Sequence, residues 1–301
     1  MINIKKFGAI DIGSNAIRLL VANVVEETGK PPQFSKSSLV RVPIRLGQDA
    51  FTSGIISEEN INRMTDAMTA YRLLMKVHKV EQYFAAATSA MREAVNAGEV
   101  VRRVTEGSGI EIDIIDGKKE AAIIASADLH DLLKNDRTYL YVDVGGGSTE
   151  LSLFSQGEMI ASKSFRAGTV RLLNNMVAES VWEEMSLWIK ENTARFSDIS
   201  LIGSGGNINK IFKMSGKKQD TPLSYFYLRM RYNELNALSY DDRVYELALN
   251  PDRADVIIPA LRIYLTAMKL SGARQIYVPK IGLSDGIVKA MYYRRLEGVK
   301  V

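Results

Sequence analysis

The chain has 301 residues, enough for two domains of ordinary size, and its 46% hydrophobic and 25% charged residues are typical of a globular protein. It contains no cysteine, which excludes disulfides and thiolate chemistry, and no apolar run long enough to span a bilayer, so a cytoplasmic enzyme without membrane attachment is expected. The net charge of +4 suits an anionic ligand, but the basic residues are scattered without a zinc-finger or RNP-type pattern, so nucleic acid is not expected as a partner.

Strands and helices alternate along the first half of the chain, which predicts an α/β fold. Strands are predicted at 7–12, 17–25, 38–46, 83–87 and 110–115. A long helix is predicted after Ser57, a residue type that caps helices, and its apolar residues recur at helical spacing as far as residue 78. Another helix is predicted over residues 118–133.

The second half repeats this alternation. Strands are predicted at 138–144, 150–154, 159–165, 199–203 and 275–278. Helices are predicted at 168–176, 181–195, 207–214, 241–249 and 283–296, with one more ending near residue 270. The repeat predicts two domains, 1–125 and 126–301, and the last helix, from about residue 284, is expected to pack back on the first domain.

Two similar stretches each place an aspartate and a glycine-rich turn between apolar runs. The first is Asp11-Ile-Gly-Ser-Asn15, and the second is Asp143-Val-Gly-Gly-Gly-Ser-Thr-Glu150. Glycine allows a sharp bend and close approach of a ligand to the backbone amides, while aspartate supplies the oxygen ligands that Mg²⁺ prefers. Ordinary hairpin turns use the same residue types, but two copies in the same order favour a cleft that binds phosphate or a nucleotide.

The residues expected to bind phosphate through their backbone amides are Gly13, Ser14, Asn15, Gly145, Gly146, Gly147 and Ser148. Asp11 and Asp143 are expected to hold Mg²⁺ or another divalent cation. A third glycine-rich turn follows a predicted strand and could contact a nucleotide or a distal phosphate: Gly203, Ser204, Gly205 and Gly206.

These motifs resemble the actin, heat-shock-70 and sugar-kinase superfamily and, within it, the exopolyphosphatase / guanosine pentaphosphatase family. Four further segments are similar to that family in order along the chain: Ala87-Thr-Ser-Ala-Met-Arg-Glu-Ala94, Gly117-Lys-Lys-Glu-Ala121, Arg166-Ala-Gly-Thr-Val-Arg-Leu172 and Ile281-Gly-Leu-Ser-Asp-Gly-Ile287. The resemblance implies two duplicated ribonuclease-H-like (actin-like ATPase) domains with an interdomain cleft. It also implies that polyphosphate or guanosine penta-/tetraphosphate is the ligand, and that a homodimer is possible.

The resemblance further implies catalytic roles for Glu120, Arg92 and Glu150. Glu120 is the expected general base, Arg92 would steady phosphate charge, and Glu150 would hold a metal-bound water or act as a second base. From the residues alone, Glu120 and Arg92 could instead be exposed residues at the start of a helix. Glu150 could likewise be a solvent-exposed strand residue. Basic residues that could guide a longer polyanion are Lys163, Arg166, Arg171 and Lys210.

The chain departs from the family pattern at Lys119, where the family often has a second glutamate, and at Ser284-Asp285, where it usually has an arginine and an acidic residue. Three functions therefore stay open: a metal-dependent hydrolase that releases terminal orthophosphate, a kinase of the same superfamily, and a non-catalytic sensor that binds nucleotide or polyphosphate. The hydrolase is preferred because the segments around Thr88 and Gly117 fit it better than they fit a kinase.

Overall fold

The computed structural model describes residues 2–126 and 137–300. The chain divides into two compact units: the first contains the described residues up to 126 and those from 283 on, and the second contains residues 137–282. Over the described ranges, no helix has both the length and the apolar character needed to cross a membrane.

The bounds of the regular elements follow the chain through both units. The strands are β1 Ile2–Ile12, β2 Ile17–Glu27, β3 Gln33–Val42, β4 Gln82–Ala87, β5 Asp113–Ile114, β6 Thr138–Val144, β7 Thr149–Ser155, β8 Glu158–Phe165, β9 Ile199–Ser204, β10 Leu223–Ser224 and β11 Gln275–Tyr277. The helices are α1 Leu46–Thr52, α2 Glu58–His78, α3 Ser89–Glu93, α4 Ala97–Ser108, α5 Gly117–Ser126, α6 Thr169–Leu173, α7 Glu179–Thr193, α8 Gly206–Met214, α9 Tyr225–Ala237, α10 Tyr240–Tyr245, α11 Pro251–Ala254, α12 Ile257–Ser271 and α13 Leu283–Tyr292.

The two sheets have the same core arrangement. The first has the order β3-β2-β1-β4-β5, with antiparallel pairing among the first three strands and parallel pairing of β1 with β4 and of β4 with β5. The second has the order β8-β7-β6-β9-β11-β10, with the same pairing directions through β11 and an added antiparallel edge strand. This repetition is what duplication of one α/β domain produces.

Helix α2 has the start and the buried face that its sequence predicts. The Ser57 side chain accepts a hydrogen bond from the backbone amide of Asn60, which satisfies one of the unpaired donors at the helix N-terminus. The apolar residues predicted to form its core face are all buried: Ile61, Met64, Met68, Tyr71 and Met75. The methionines of this helix therefore serve core packing.

The last helix, α13, belongs to the first unit and packs against α5 and β1. A Cβ atom at Gly286 would lie 2.2 Å from the carbonyl oxygen of Ile123, so glycine permits the close approach of α13 to α5. The buried side chains of Ile287 and Met291 complete this contact with the core of the unit.

The strand predicted over 38–46 is wrong at both ends. The strand β3 begins at Gln33 and ends at Val42, and helix α1 begins at Leu46. Pro43 has no amide proton with which to continue the ladder, and Arg45 adopts a left-handed backbone with φ of 61°. The helix predicted over 118–133 begins at Gly117, and its residues beyond 126 lie outside the described part of the chain.

Candidate active site

The turn between β1 and β2 carries the first set of predicted phosphate-binding residues. It is closed by a hydrogen bond of 3.2 Å from the amide of Gly13 to the carbonyl of Ala16. The carbonyls of Ser14 and Asn15 accept hydrogen bonds from backbone amides at the start of α1, and the amide of Gly47 is 2.7 Å from the Ser14 oxygen.

The turn between β6 and β7 is built in the same way. Gly145 donates its amide to the carbonyl of Ser148 at 3.0 Å, and three successive carbonyls are then held by the start of α6. The bonds run from Thr169 N to Gly145 O (3.0 Å), from Val170 N to Gly146 O (2.8 Å) and from Arg171 Nε to Gly147 O (2.8 Å).

We call the two segments that hold these carbonyls the turn clamps, residues 45–47 and 168–171. Each clamp has a glycine where a side chain would collide: a Cβ atom at Gly47 would lie 2.7 Å from the Cβ of Ser14, and one at Gly168 would lie 2.3 Å from the Gly146 backbone. The amides of Gly13 and Gly145, predicted to bind phosphate, instead close their own turns by donating to Ala16 and Ser148. Within the described chain, the amides of Gly146 and Gly147 make no hydrogen bond.

Asp11 is the last residue but one of β1 and lies opposite Arg18 in the β1–β2 ladder. Its carboxylate is 7% exposed, and Nη1 of Arg18 lies 3.0 Å from Oδ2. Burial raises the pKa of the Asp11 carboxyl above its usual range, because burial disfavours the charged form, and the nearby Arg18 guanidinium offsets part of that rise.

Asp143 ends β6 in the second unit, and the third glycine-rich turn lies beside it. A Cβ atom at Gly205 would be 3.0 Å from the carbonyl of Val144 and 3.6 Å from Oδ1 of Asp143, and Gly205 has φ of 115°. Glycine is therefore required here by both space and backbone conformation. The buried Tyr264 hydroxyl donates a hydrogen bond to the carbonyl of Ser204 and so stabilises the same turn.

The predicted residues of this third turn fall at a junction of two elements: Gly203 and Ser204 end β9, Gly205 caps α8, and Gly206 begins it.

Glu150 is a buried carboxylate, with 4% of its surface exposed, so the interpretation as a solvated strand residue is wrong. Its Oε1 accepts hydrogen bonds from Ser148 Oγ at 2.6 Å and from Ser164 Oγ at 2.9 Å. It also lies opposite Asp143 in the β6–β7 ladder. The structure thus brings Asp143, Glu150 and the second turn together at one end of the sheet.

Glu120 and Arg92 form an ion pair in the first unit, with Nη1 of Arg92 2.8 Å from Oε2 of Glu120. The same nitrogen donates to the carbonyl of Ile115 at 2.8 Å. Glu120 is only 8% exposed, so its interpretation as an exposed first-turn glutamate is wrong. Lys119, the departure from the family pattern, turns elsewhere, with Nζ 5.5 Å from the centre of the Phe84 ring.

The segment that carries Arg92 also contacts the first turn. The Oγ atoms of Ser14 and Ser89 are 2.9 Å apart in a buried hydrogen bond, and the amide of Thr88 donates to the carbonyl of Ile12. Both turns are thus joined to their surroundings by hydroxyl groups as well as by the clamps.

Sequence reasoning missed several residues that hold the site: Arg18, Gly47, Ser89, Ser164 and Gly168. The recurrence of a glycine after each hairpin was visible, but only the structure shows that it packs on the turn. Arg171, predicted as part of a basic track, is instead buried against the second turn, and Lys163 pairs with Glu184 at 2.7 Å.

Comparison with known proteins gives both sequence and structural relatives. The chain is 34% identical to exopolyphosphatase 2 of Mycobacterium tuberculosis over 174 residues, which cover 56% of this chain and 53% of the relative. It is 29% identical to a guanosine-5'-triphosphate,3'-diphosphate pyrophosphatase of Photobacterium profundum over 167 residues, covering 56% of this chain and 32% of the relative. The alignments thus span about half or less of these relatives.

The fold agrees with a solved structure of an exopolyphosphatase from Cytophaga hutchinsonii, with a TM-score of 0.83 and 23% identity over 96% of this chain and 98% of the other. This likeness confirms the predicted fold class of two actin-like α/β domains; the interdomain cleft stays a prediction. Residues 26–200 match the model of the Ppx/GppA phosphatase family, which confirms the resemblance read from the motifs. The chain therefore belongs to the Ppx/GppA phosphatase family.

Proposed function

We propose that this protein is a hydrolase of phosphoanhydrides that releases terminal orthophosphate from inorganic polyphosphate or from guanosine pentaphosphate. The observation that carries the proposal is the pair of clamped turns, each preceded by an aspartate and one followed by the buried Glu150. The names of the two sequence relatives, an exopolyphosphatase and a guanosine pentaphosphate pyrophosphatase, support the same reaction and leave the choice between its two substrates open.

Transfer of a phosphoryl group to water needs charge neutralisation, in-line geometry and an oriented water. The turn amides of Gly146 and Gly147 would bind phosphoryl oxygens through hydrogen bonds that the rest of the described chain does not claim. The amide of Ser14 belongs to the matching turn of the first unit, where the amide of Gly13 is already engaged with the carbonyl of Ala16. Preorganised amides of this kind stabilise the charge that develops in the transition state.

Glu120 would accept the proton of the attacking water. Arg92 holds one of its carboxylate oxygens at 2.8 Å, which fixes the direction of the carboxylate. Glu150, held by two serine hydroxyls, would orient a water or act as a second base.

Asp11 and Asp143 each fit magnesium binding by their chemistry, because each places carboxylate oxygens beside a glycine turn of its own unit, and Mg²⁺ commonly uses only one or two carboxylates together with phosphate oxygens and waters. The requirement for glycine at position 205 keeps side-chain atoms away from Oδ1 of Asp143. In the part of the chain that the structure describes, no group of three or more histidine, aspartate or glutamate side chains could hold a metal. When bound, Mg²⁺ would neutralise charge on the phosphate oxygens.

The test is orthophosphate release by the purified protein with Mg²⁺, offered polyphosphate, guanosine pentaphosphate and ATP in parallel. Glu120→Gln is expected to abolish release, since it removes the base while keeping the size of the side chain. The matched control is Glu106→Gln, which changes an exposed glutamate that also pairs with an arginine; it should leave the rate unchanged.

Other outcomes would contradict the proposal. Consumption of ATP that depends on an added acceptor would indicate a kinase. Binding of nucleotide or polyphosphate without turnover would indicate a sensor, and Lys119→Glu would then test whether the missing glutamate is the reason. Release that persists in EDTA would contradict the role of a divalent cation.

A further inference from the structure

Ser164 lies on the edge strand β8 directly opposite Glu150 on β7. Its Oγ donates to Oε1 of Glu150 at 2.9 Å, and Ser148 Oγ donates to the same oxygen at 2.6 Å. One donor comes from the phosphate turn and the other from the neighbouring strand. Glu150 is buried, whereas Ser164 occupies an exposed position.

A second hydrogen-bond donor restricts the orientation of a carboxylate. The terminal torsion of a glutamate side chain is broad, so a single hydrogen bond leaves the carboxylate plane poorly defined. Two donors, one from the turn and one from the edge strand, restrict that torsion.

We propose that Ser164 is a positioning residue that holds the Glu150 carboxylate in the orientation required for hydrolysis. The catalytic importance of this role rests on the proposed function, whereas the hydrogen bond between Ser164 and Glu150 is observed independently of it. Glycine-turn motifs point to Glu150 itself, whereas Ser164 is identified only by the pairing of two strands.

The adjacent part of the same strands supplies a matched control. Ser162 of β8 lies opposite Ser152 of β7, and their Oγ atoms are 2.8 Å apart. Ser162 is also exposed, so Ser162→Ala removes the same hydroxyl from the same edge strand. It differs from Ser164→Ala in one respect, because the partner that loses its contact is a serine and not a carboxylate.

The experiment measures kcat and KM of the full chain with polyphosphate. Ser164→Ala is expected to lower kcat about tenfold with little change in KM, since a hydrogen bond to a charged group is lost. Ser164→Thr is expected to retain most of the original kcat, because threonine keeps the hydroxyl and is a β-branched residue suited to a strand. Ser162→Ala should also keep the original kcat. In a Glu150→Gln background, Ser164→Ala should cause no further loss. Equal losses for Ser164→Ala and Ser162→Ala, or an undiminished loss in the Glu150→Gln background, would overturn the proposal.

A second measurement does not depend on turnover. If the unaltered protein releases no orthophosphate from any substrate, the proposed function fails, and the positioning role is then judged from crystal structures of the unaltered protein and Ser164→Ala. Displacement of the Glu150 carboxylate from Ser148 supports the role, and an unmoved carboxylate refutes it.

Discussion

Arg92 shows how a single residue can connect two segments of the predicted site. It follows β4, and its Nη1 reaches both the Ile115 carbonyl and the Glu120 carboxylate at 2.8 Å. Arg92 therefore holds the proposed base, besides any contact it makes with phosphate.

Replacing Arg92 with alanine is expected to lower the free energy of unfolding by about 2 kcal/mol, because Glu120 would be left largely buried without its guanidinium partner. Arg102→Ala is the matched control, since Arg102 pairs with Glu106 at the surface and such pairs contribute about 0–1 kcal/mol. Denaturant unfolding of both variants measures the difference. Equal losses would show that the Arg92–Glu120 pair behaves like an exposed one.

At the residue scale, the sequence predicts the carboxylates of the candidate site better than the groups that hold them. Asp11, Asp143 and Glu150 belong to motifs whose order and spacing can be recognised in the sequence itself. Arg18 and Ser164 are set by strand pairing, because each lies across a ladder from the carboxylate that it contacts. No local pattern distinguishes them from other polar strand residues, so only the register reveals their partners.

At the scale of elements, the turn clamps explain why short helices α1 and α6 follow the hairpins. Each helix begins where its clamp glycine meets a turn, and the backbone amides at these starts, which lack partners within their own helix, bind turn carbonyls. The helix start and the phosphate turn thus satisfy each other's backbone groups. The shape of each turn is fixed before any ligand arrives.

Gly168→Ala is expected to lower kcat about a hundredfold, because a Cβ atom 2.3 Å from the Gly146 backbone must displace the turn whose amides would bind phosphate. It should also lower the free energy of unfolding by about 1–3 kcal/mol through overpacking. Orthophosphate release, measured well below the unfolding temperature, separates the two effects.

The control for Gly168 is Gly98→Ala, because a Cβ atom at Gly98, near the start of α4, meets nothing within 4 Å. Its activity should match that of the original protein and its stability should be equal or slightly higher. Full activity of Gly168→Ala would mean that the turn does not need its clamp.

Apolar spacing and a capping residue together identify helix α2, but helix α4, whose buried Val100 and Val104 also recur at helical spacing, is not among the predicted helices. Helix α2 buries a regular apolar face and carries a capping serine. Helix α9 was missed because it buries only Leu228 and Leu235 in a segment rich in tyrosine and arginine, although Ser224 caps it by accepting a hydrogen bond from the Tyr227 amide. Attention to the cap would have identified this helix, whereas its periodicity could not.

At the scale of the whole molecule, the first unit is assembled from two separate parts of the chain. Helix α13 comes from residues after 282 and packs on α5 and β1. The sequence predicts the helix itself from its apolar spacing. The absence of a side chain at Gly286 permits its close approach to α5, and this role is evident only once the facing carbonyl of Ile123 is known.

Ile287→Ala is expected to lower the free energy of unfolding of the first unit by about 3 kcal/mol, because it leaves a cavity at a fully buried position. Amide hydrogen exchange should therefore accelerate in β1 and β4 and stay unchanged in β6 and β9. Leu187→Ala, at a position 58% exposed on α7, serves as the control and should change neither. Faster exchange spread evenly over both units would contradict an independent first unit.

The two-part construction of the first unit has a consequence for the order of folding during synthesis. The second unit is continuous, so it can fold as soon as it has left the ribosome, whereas the first must wait for α13. At about 5–20 residues per second, the delay between completion of α5 and arrival of α13 is about 10–30 s. During that interval the nascent chain exposes the apolar surface of β1 and α5 that α13 later covers.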